Sequence, residues 1–68
     1  MLTSREQQIA LLIERGLSNK EIGRSLNIEL ATVKNHVHNI LDKFGVASRA
    51  AAAARLRTSM TIREIRRR

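Results

Sequence analysis

The sequence predicts an all-α fold: one small domain of four helices, at about residues 4–15, 19–26, 30–44 and 49–57. Three observations carry that reading. The chain has no Pro and a single aromatic residue, Phe44, which argues against a β-rich fold. Helix-start residues recur at Thr3, Ser18 and Ser48. Residues 30–44 repeat apolar side chains at helical spacing.

Size and composition bound the rest. Sixty-eight residues make one domain, close to the lower limit for folding without metal or disulfide. There is no Cys, so disulfides and thiolate metal sites are excluded, which fits a reducing cytoplasm. No apolar run approaches the ~20 residues of a membrane span, and no signal-peptide pattern opens the chain. The formal charge of +7 is uneven. Residues 55–68 hold six Arg and one Glu, for +5; residues 1–54 hold seven Lys or Arg against five Asp or Glu, for +2. Such a charge points to an anionic partner, and by itself it leaves DNA, RNA and a membrane surface open.

The first helix opens at Leu2-Thr3-Ser4-Arg5-Glu6, where Thr3 and Glu6 form a capping box. Ile9, Leu12 and Ile13 mark its apolar face. Gly16 is placed for a left-handed residue after the helix, with Leu17 packing back on Leu12 in a Schellman ending. Ser18-Asn19-Lys20-Glu21 is a second capping box, stapled by Leu17 and Ile22. Ile22 and Leu26 face inward, and Gly23 permits close approach of another backbone. Asn27 tolerates the left-handed conformation that ends this short helix, and Ile28 is expected to be buried in the turn.

The third helix begins at Glu29, a weak N-cap whose charge nevertheless suits a helix start. With Ala31 set at zero, Leu30, Val33, Val37, Ile40, Leu41 and Phe44 fall within about 180–280°, one apolar stripe. Ala31, Lys34, Asn35 and His38 gather on the opposite side. Thr32, Asn39 and Lys43 flank them, and His36 lies at the border with the stripe. Gly45 ends the helix. Ser48 caps the fourth, whose Ala50–Ala54 run has high helix propensity and little bulk. Leu56 is its large apolar residue. Thr58 to Arg68 is a poor helix former and reads as a basic tail, frayed or disordered. The domain is therefore expected to span residues 1–57, with the tail at 58–68.

Two helices joined by the tight link Leu26-Asn27-Ile28-Glu29, the second amphipathic with a basic outer face, make a helix-turn-helix. The fuller pattern sharpens this. Leu2-Thr3-x-Arg5-Glu6, Gly16-Leu17-Ser18-Asn19-Lys20-Glu21-Ile22 and Leu26-Asn27-Ile28 come first. Thr32-Val33-Lys34-Asn35-His36-Val37, Leu41-x-Lys43-Phe44-Gly45-Val46 and Ser48-Arg49 follow. Together they make residues 2 to about 57 resemble the LuxR/GerE-type helix-turn-helix domain. Such domains close two-component response regulators and quorum-sensing regulators.

That resemblance implies a four-helix domain that binds double-stranded DNA as a homodimer and regulates transcription in the cytoplasm. The third helix would enter the major groove, the fourth would supply the dimer contact, and the motif proper would run from Asn19 to His38. It implies base-edge contacts for Lys34, Asn35 and His38, and phosphate contacts for Thr32, Lys20 and the amides at the second helix's start. The sequence departs from the family in three places. Glu29 stands where Ser or Thr is common. Ala31 offers a base only a methyl contact. His38 occupies a position often basic or amide, so its contact depends on pH.

The residues support these roles independently. Lys34 can donate to guanine or to a phosphate, and its outward position leaves both open. Asn35 can pair in bidentate fashion with adenine. His38 lies one turn beyond Lys34 on the same side. Ser18, Asn19 and Lys20 make a positive helix end suited to a phosphate. Thr32 sits in the first turn of the third helix, where it can satisfy backbone or meet a phosphate. His36 is a boundary histidine bonding to backbone or phosphate. Metal binding by His36 and His38 fails on spacing, since i and i+2 point about 200° apart. Five alanines cover every direction of the fourth helix, so Ala50, Ala51 and Ala54 are expected as an outward strip permitting close helix–helix contact in a two-fold dimer.

No catalytic set stands out. Glu6 and Glu21 are explained by their caps, and no Ser/His/Asp arrangement or phosphate-cradling Gly loop is present. The expectation is a non-enzyme without cofactor. Two other functions compete with DNA reading. One is a module like sigma-factor region 4 that touches RNA polymerase. The other is a cationic membrane-surface segment, disfavoured because successive caps specify a folded bundle.

Overall fold

Helix starts and left-handed helix ends divide the chain. A computed structural model describes the backbone of residues 2–67 and the side chains of residues 2–58. It contains α1 (Ser4–Glu14), α2 (Asn19–Leu26), α3 (Leu30–Phe44) and α4 (Arg49–Arg67), with no strand among the described residues.

Both capping boxes form. The Thr3 N–H donates to Glu6 Oε1 at 2.8 Å and the Glu6 N–H to Thr3 Oγ1 at 3.1 Å. Ser18 and Glu21 repeat the arrangement at the same distances. α1 closes as a Schellman turn: Leu17 N–H reaches Leu12 O at 3.1 Å and Gly16 N–H reaches Ile13 O at 3.0 Å. α2 ends on Asn27 at φ +56°, a left-handed residue, and Ile28 N–H bonds back to Gly23 O at 3.0 Å. Gly45, at φ +67°, does the same for α3. Glu29 precedes α3 without a side-chain cap bond, so this start is the weak one the sequence indicates. Ser48 Oγ accepts from Ala51 N–H at 3.1 Å and starts α4.

α4 continues past its expected end near residue 57, to Arg67. No Gly or Pro interrupts residues 49–67, and the Thr58 hydroxyl bonds back to Ala54 O at 3.1 Å rather than breaking the helix. Beyond Thr58 the side chains of the expected basic tail, and Arg68 altogether, lie outside the described residues.

The core takes Ile9, Ala10 and Ile13 from α1, Ile22 from α2, Val33, Val37 and Ile40 from α3, and Ala52 from α4. α1 packs on α3 and α4, and α2 packs on α3. Gly23 is needed where α2 crosses the turn. A Cβ there would lie 3.0 Å from the Ile28 carbonyl oxygen and 3.6 Å from a Val33 methyl. Leu30 departs from the expected stripe. It is 39% exposed, because the core stops at Val33 and Leu30 sits one turn short of it. Ile28 is half-buried against the core edge rather than enclosed.

Polar ties also join distant parts of this bundle, two of them at the carboxy end of α3. Lys43 does not flank the outer face of α3 as its angle suggests. Its long stem swings toward α1, and Nζ meets Glu6 Oε1 at 2.7 Å. The Glu6 side chain keeps only 5% of its surface exposed. Another is at the end of α3, where Arg55 Nη1 donates to Phe44 O at 2.8 Å and its guanidinium stands 5.7 Å from the Phe44 ring centroid. A cation at a helix C-terminus over a ring face is doubly placed.

The Lys43 bond, followed by the Thr3 amide, holds the Glu6 carboxyl below its ordinary value of 4.5, against the opposing effect of burial. A lowered carboxyl pKa adds stability at pH values above the unfolded value, and that stability is lost as pH falls through the folded one. Glu6→Gln keeps a side chain able to close the capping box but removes the charge. The variant should melt at a lower temperature than the parent at neutral pH. The difference should shrink below pH 4.5 as the parent's Glu6 protonates. A pH series of thermal melts measures it, and parallel curves for the two proteins down to strongly acid pH would contradict it.

Candidate nucleic-acid interface

The apolar stripe of α3 determines what faces outward. Val33 and Ile40 are fully buried and Val37 nearly so, which pins the helix by one side. Ala31, Thr32, Lys34, Asn35, His38 and Asn39 are all exposed on the other. The side chains of Lys34 and Asn35 form no hydrogen bond or ion pair among the described residues, so their donors remain available. His38 Nε2 lies 3.8 Å from Asp42 Oδ2, with both side chains about three-quarters exposed. This is a loose surface contact that a protonated imidazole would strengthen. His36 is half-buried at the border of the stripe.

At the start of α2 the capping box uses the amides of Ser18 and Glu21, and Ile22 N–H donates to Ser18 O at 2.9 Å. It leaves the amides of Asn19 and Lys20 unengaged at the positive end of the helix. The Ser18 amide and hydroxyl oxygen are thus already committed to the cap. Glu21 is held below its ordinary carboxyl value chiefly by the Ser18 amide and hydroxyl. It therefore stays ionised at neutral pH as part of the cap. A shallow groove between α2 and the turn is lined by Lys20, Gly23 and Arg24 of α2 together with Leu30 of α3. The tight turn at Asn27–Glu29 thus sets two cations of α2 beside the entry to α3.

Comparison with known proteins decides the family. The model of the luxR family of bacterial regulatory proteins, GerE, matches residues 1–56. The chain belongs to the luxR family. The response regulator protein VraR of Staphylococcus aureus is 52% identical over 52 residues, covering 76% of this chain and 25% of that protein. VraR of Staphylococcus saprophyticus and of Staphylococcus epidermidis match to the same extent. The chain thus spans about a quarter of the length of these relatives. LuxR-family domains are DNA-binding, act in transcription regulation and are not enzymes. Among the described residues no helix is long and apolar enough to cross a membrane.

Within the luxR-family domain, Lys34, Asn35 and His38 stand together on one exposed face of α3, with Thr32 nearer its start. Ser18, Asn19 and Lys20 stand together at the start of α2. Ala50, Ala51 and Ala54 are exposed on α4, while Ala52 is fully buried and Ala53 half-buried. One participant escaped the sequence reading. The guanidinium of Arg49, the first residue of α4, donates through Nη1 to Asn19 Oδ1 and through Nη2 to Leu17 O. The only signal for it was the Ser48-Arg49 pair itself, which carries no hint of a partner thirty residues upstream.

Proposed function

We propose that the chain binds double-stranded DNA sequence-specifically and regulates transcription, with α3 reading bases in the major groove. The observation that carries this is the outer face of α3. It is an exposed cation, amide and imidazole on a helix anchored by its opposite side. Lys34, Asn35 and His38 contact base edges in this reading. Ser18, Asn19, Lys20, Thr32 and His36 lie along phosphates. The helix-turn-helix proper runs from Asn19 to His38. Two chains pair on DNA through α4, with Ala50, Ala51 and Ala54 at the contact, where small side chains let helices approach. Residues 1–57 form the reading domain, and the basic segment at 58–68 adds sequence-independent affinity. The protein works in the cytoplasm, without cofactor or metal.

Selection of bound sequences from a random duplex pool tests the proposal. The expected result is a consensus of two symmetric half-sites with centres about one helical turn apart. An unsymmetric single site would remove the dimer. Failure to enrich any sequence would favour the alternative of a module that contacts RNA polymerase.

A further inference from the structure

We propose that Arg49 is a positioning residue for DNA binding, which fastens the amino end of α2 to α4 so that Lys20 and the first α2 amides are held ready for a phosphate. The inference rests on the phosphate role proposed above for the start of α2, and adds the group that holds that start in place.

The argument begins with what supports α2. Helix-to-helix packing joins α2 to α3, whereas α4 packs on α1 and α3. α2 has eight residues, and its buried members, Ile22 and Gly23, lie in its middle. The core thus grips its centre most fully, with Leu17 and Leu26 only partly buried at either end. At its amino end Ser18 and Lys20 are exposed and Asn19 is half-buried, and the contact with the core there is the partly buried Leu17 just ahead of the cap. Arg49 reaches this end from the first turn of α4 with two donors. One goes to the side chain of the first α2 residue. The other goes to the carbonyl just before the Ser18 cap. The two acceptors bracket the cap, so the guanidinium fixes both the position and the direction of the helix start. A planar fork with two donors at fixed separation does this, and an ammonium on a flexible stem does not.

The same contact turns Asn19 around functionally. Its carbonyl oxygen faces Arg49, which leaves its side-chain NH2 and its backbone N–H as the donors for an anion. Arg49 also lowers the entropy lost on binding, because a helix end already fixed has less freedom to give up. The half-buried guanidinium, spent on two acceptors, acts through α2 rather than as another surface cation.

A double-mutant cycle tests this on the full 68-residue chain. The variants are Lys20→Ala, Arg49→Lys and their combination, with Arg49→Ala as a harsher companion. The probe is a mixed-sequence duplex titrated across a salt series below the melting temperature of every variant. In the parent, Lys20→Ala should weaken binding about three- to ten-fold and reduce the salt slope by about one. In the Arg49→Lys background the same change should weaken binding less than about two-fold, because the unheld helix end no longer presents Lys20. Arg49→Lys alone should bind less tightly than the parent although the charge is retained.

Parent-like affinity in Arg49→Lys would overturn the proposal, since charge alone would then suffice and Arg49 would be an ordinary phosphate cation. Equal losses from Lys20→Ala in both backgrounds would overturn the positioning role and leave the phosphate role of Lys20 intact. No loss from Lys20→Ala in the parent would overturn the phosphate reading, and this proposal with it. Should Arg49→Ala fail to fold, Arg49→Lys carries the test.

Discussion

Replacing Lys34 with alanine is expected to weaken binding to the selected duplex by about 10- to 100-fold, the loss of one good base-edge contact of about 1–3 kcal/mol. On a mixed-sequence duplex the loss should be far smaller. Lys20→Ala should behave in the opposite way, weakening both duplexes by a similar modest factor, because a phosphate is present at every position. The contrast follows from where the two lysines sit. Lys34 is exposed on the outer face of α3, between Ala31 and His38, while Val33 and Val37 are buried on the opposite side. Lys20 lies in the first turn of α2 and lines the groove beside the turn. Titrations of both variants on both duplexes decide the matter. Small, equal losses from both would contradict the assigned division of labour. Melting temperatures should be nearly unchanged in Lys34→Ala, since an exposed side chain is removed from a helix whose packing lies on the other side.

Ile40→Ala should have the largest effect on the fold, about 2–5 kcal/mol. Ile40 is fully buried in the α3 stripe and contributes one of the largest enclosed side chains. A single core in a chain this short rarely supplies more than about 3–5 kcal/mol in total. Much of the population should therefore unfold near physiological temperature. Leu11→Ala makes the control. Leu11 is 43% exposed, and its loss should stay within about 0.5 kcal/mol. Denaturant titration followed by circular dichroism measures both. A melt of Ile40→Ala indistinguishable from that of Leu11→Ala would mean that the α3 stripe does not face the core. The two large predictions separate cleanly in one further respect. Cooling or stabilising solutes should restore DNA binding to Ile40→Ala by refolding it, and should do nothing for Lys34→Ala.

The parts legible in the sequence were those governed by neighbours three to five residues apart. Thr3 with Glu6 and Ser18 with Glu21 specify helix starts within one turn. Gly16 with Leu17 and Asn27 with Ile28 specify ends over the same range. The α3 stripe is a local periodicity, and it sorts Lys34 and Asn35 from Val33 and Val37 without any tertiary information. What local pattern does not carry is where a long side chain goes once helices pack. Lys43 turns through the space between α3 and α1 to Glu6, thirty-seven residues away. Glu6 already had a complete explanation as a cap residue, so nothing in the sequence asked for a second partner. Arg49 and Arg55 are the same kind of case, each ending on groups of other helices or helix ends. α4 runs beyond the expected 49–57 for a different reason. Thr58 and Ser59 have weak helix propensity, but the alanine run ahead of them had already nucleated the helix, and propagation needs far less than nucleation.

The capless start of α3 has a consequence for how tightly free protein and bound protein can differ. With Glu29 giving no side-chain bond, the first amides of α3 receive no side-chain acceptor from their N-cap. A duplex phosphate would then complete a hydrogen-bonding set that the chain itself leaves open. On the proposed reading, the cap bond that α3 lacks is one that docking on DNA, and not folding of the monomer, would supply.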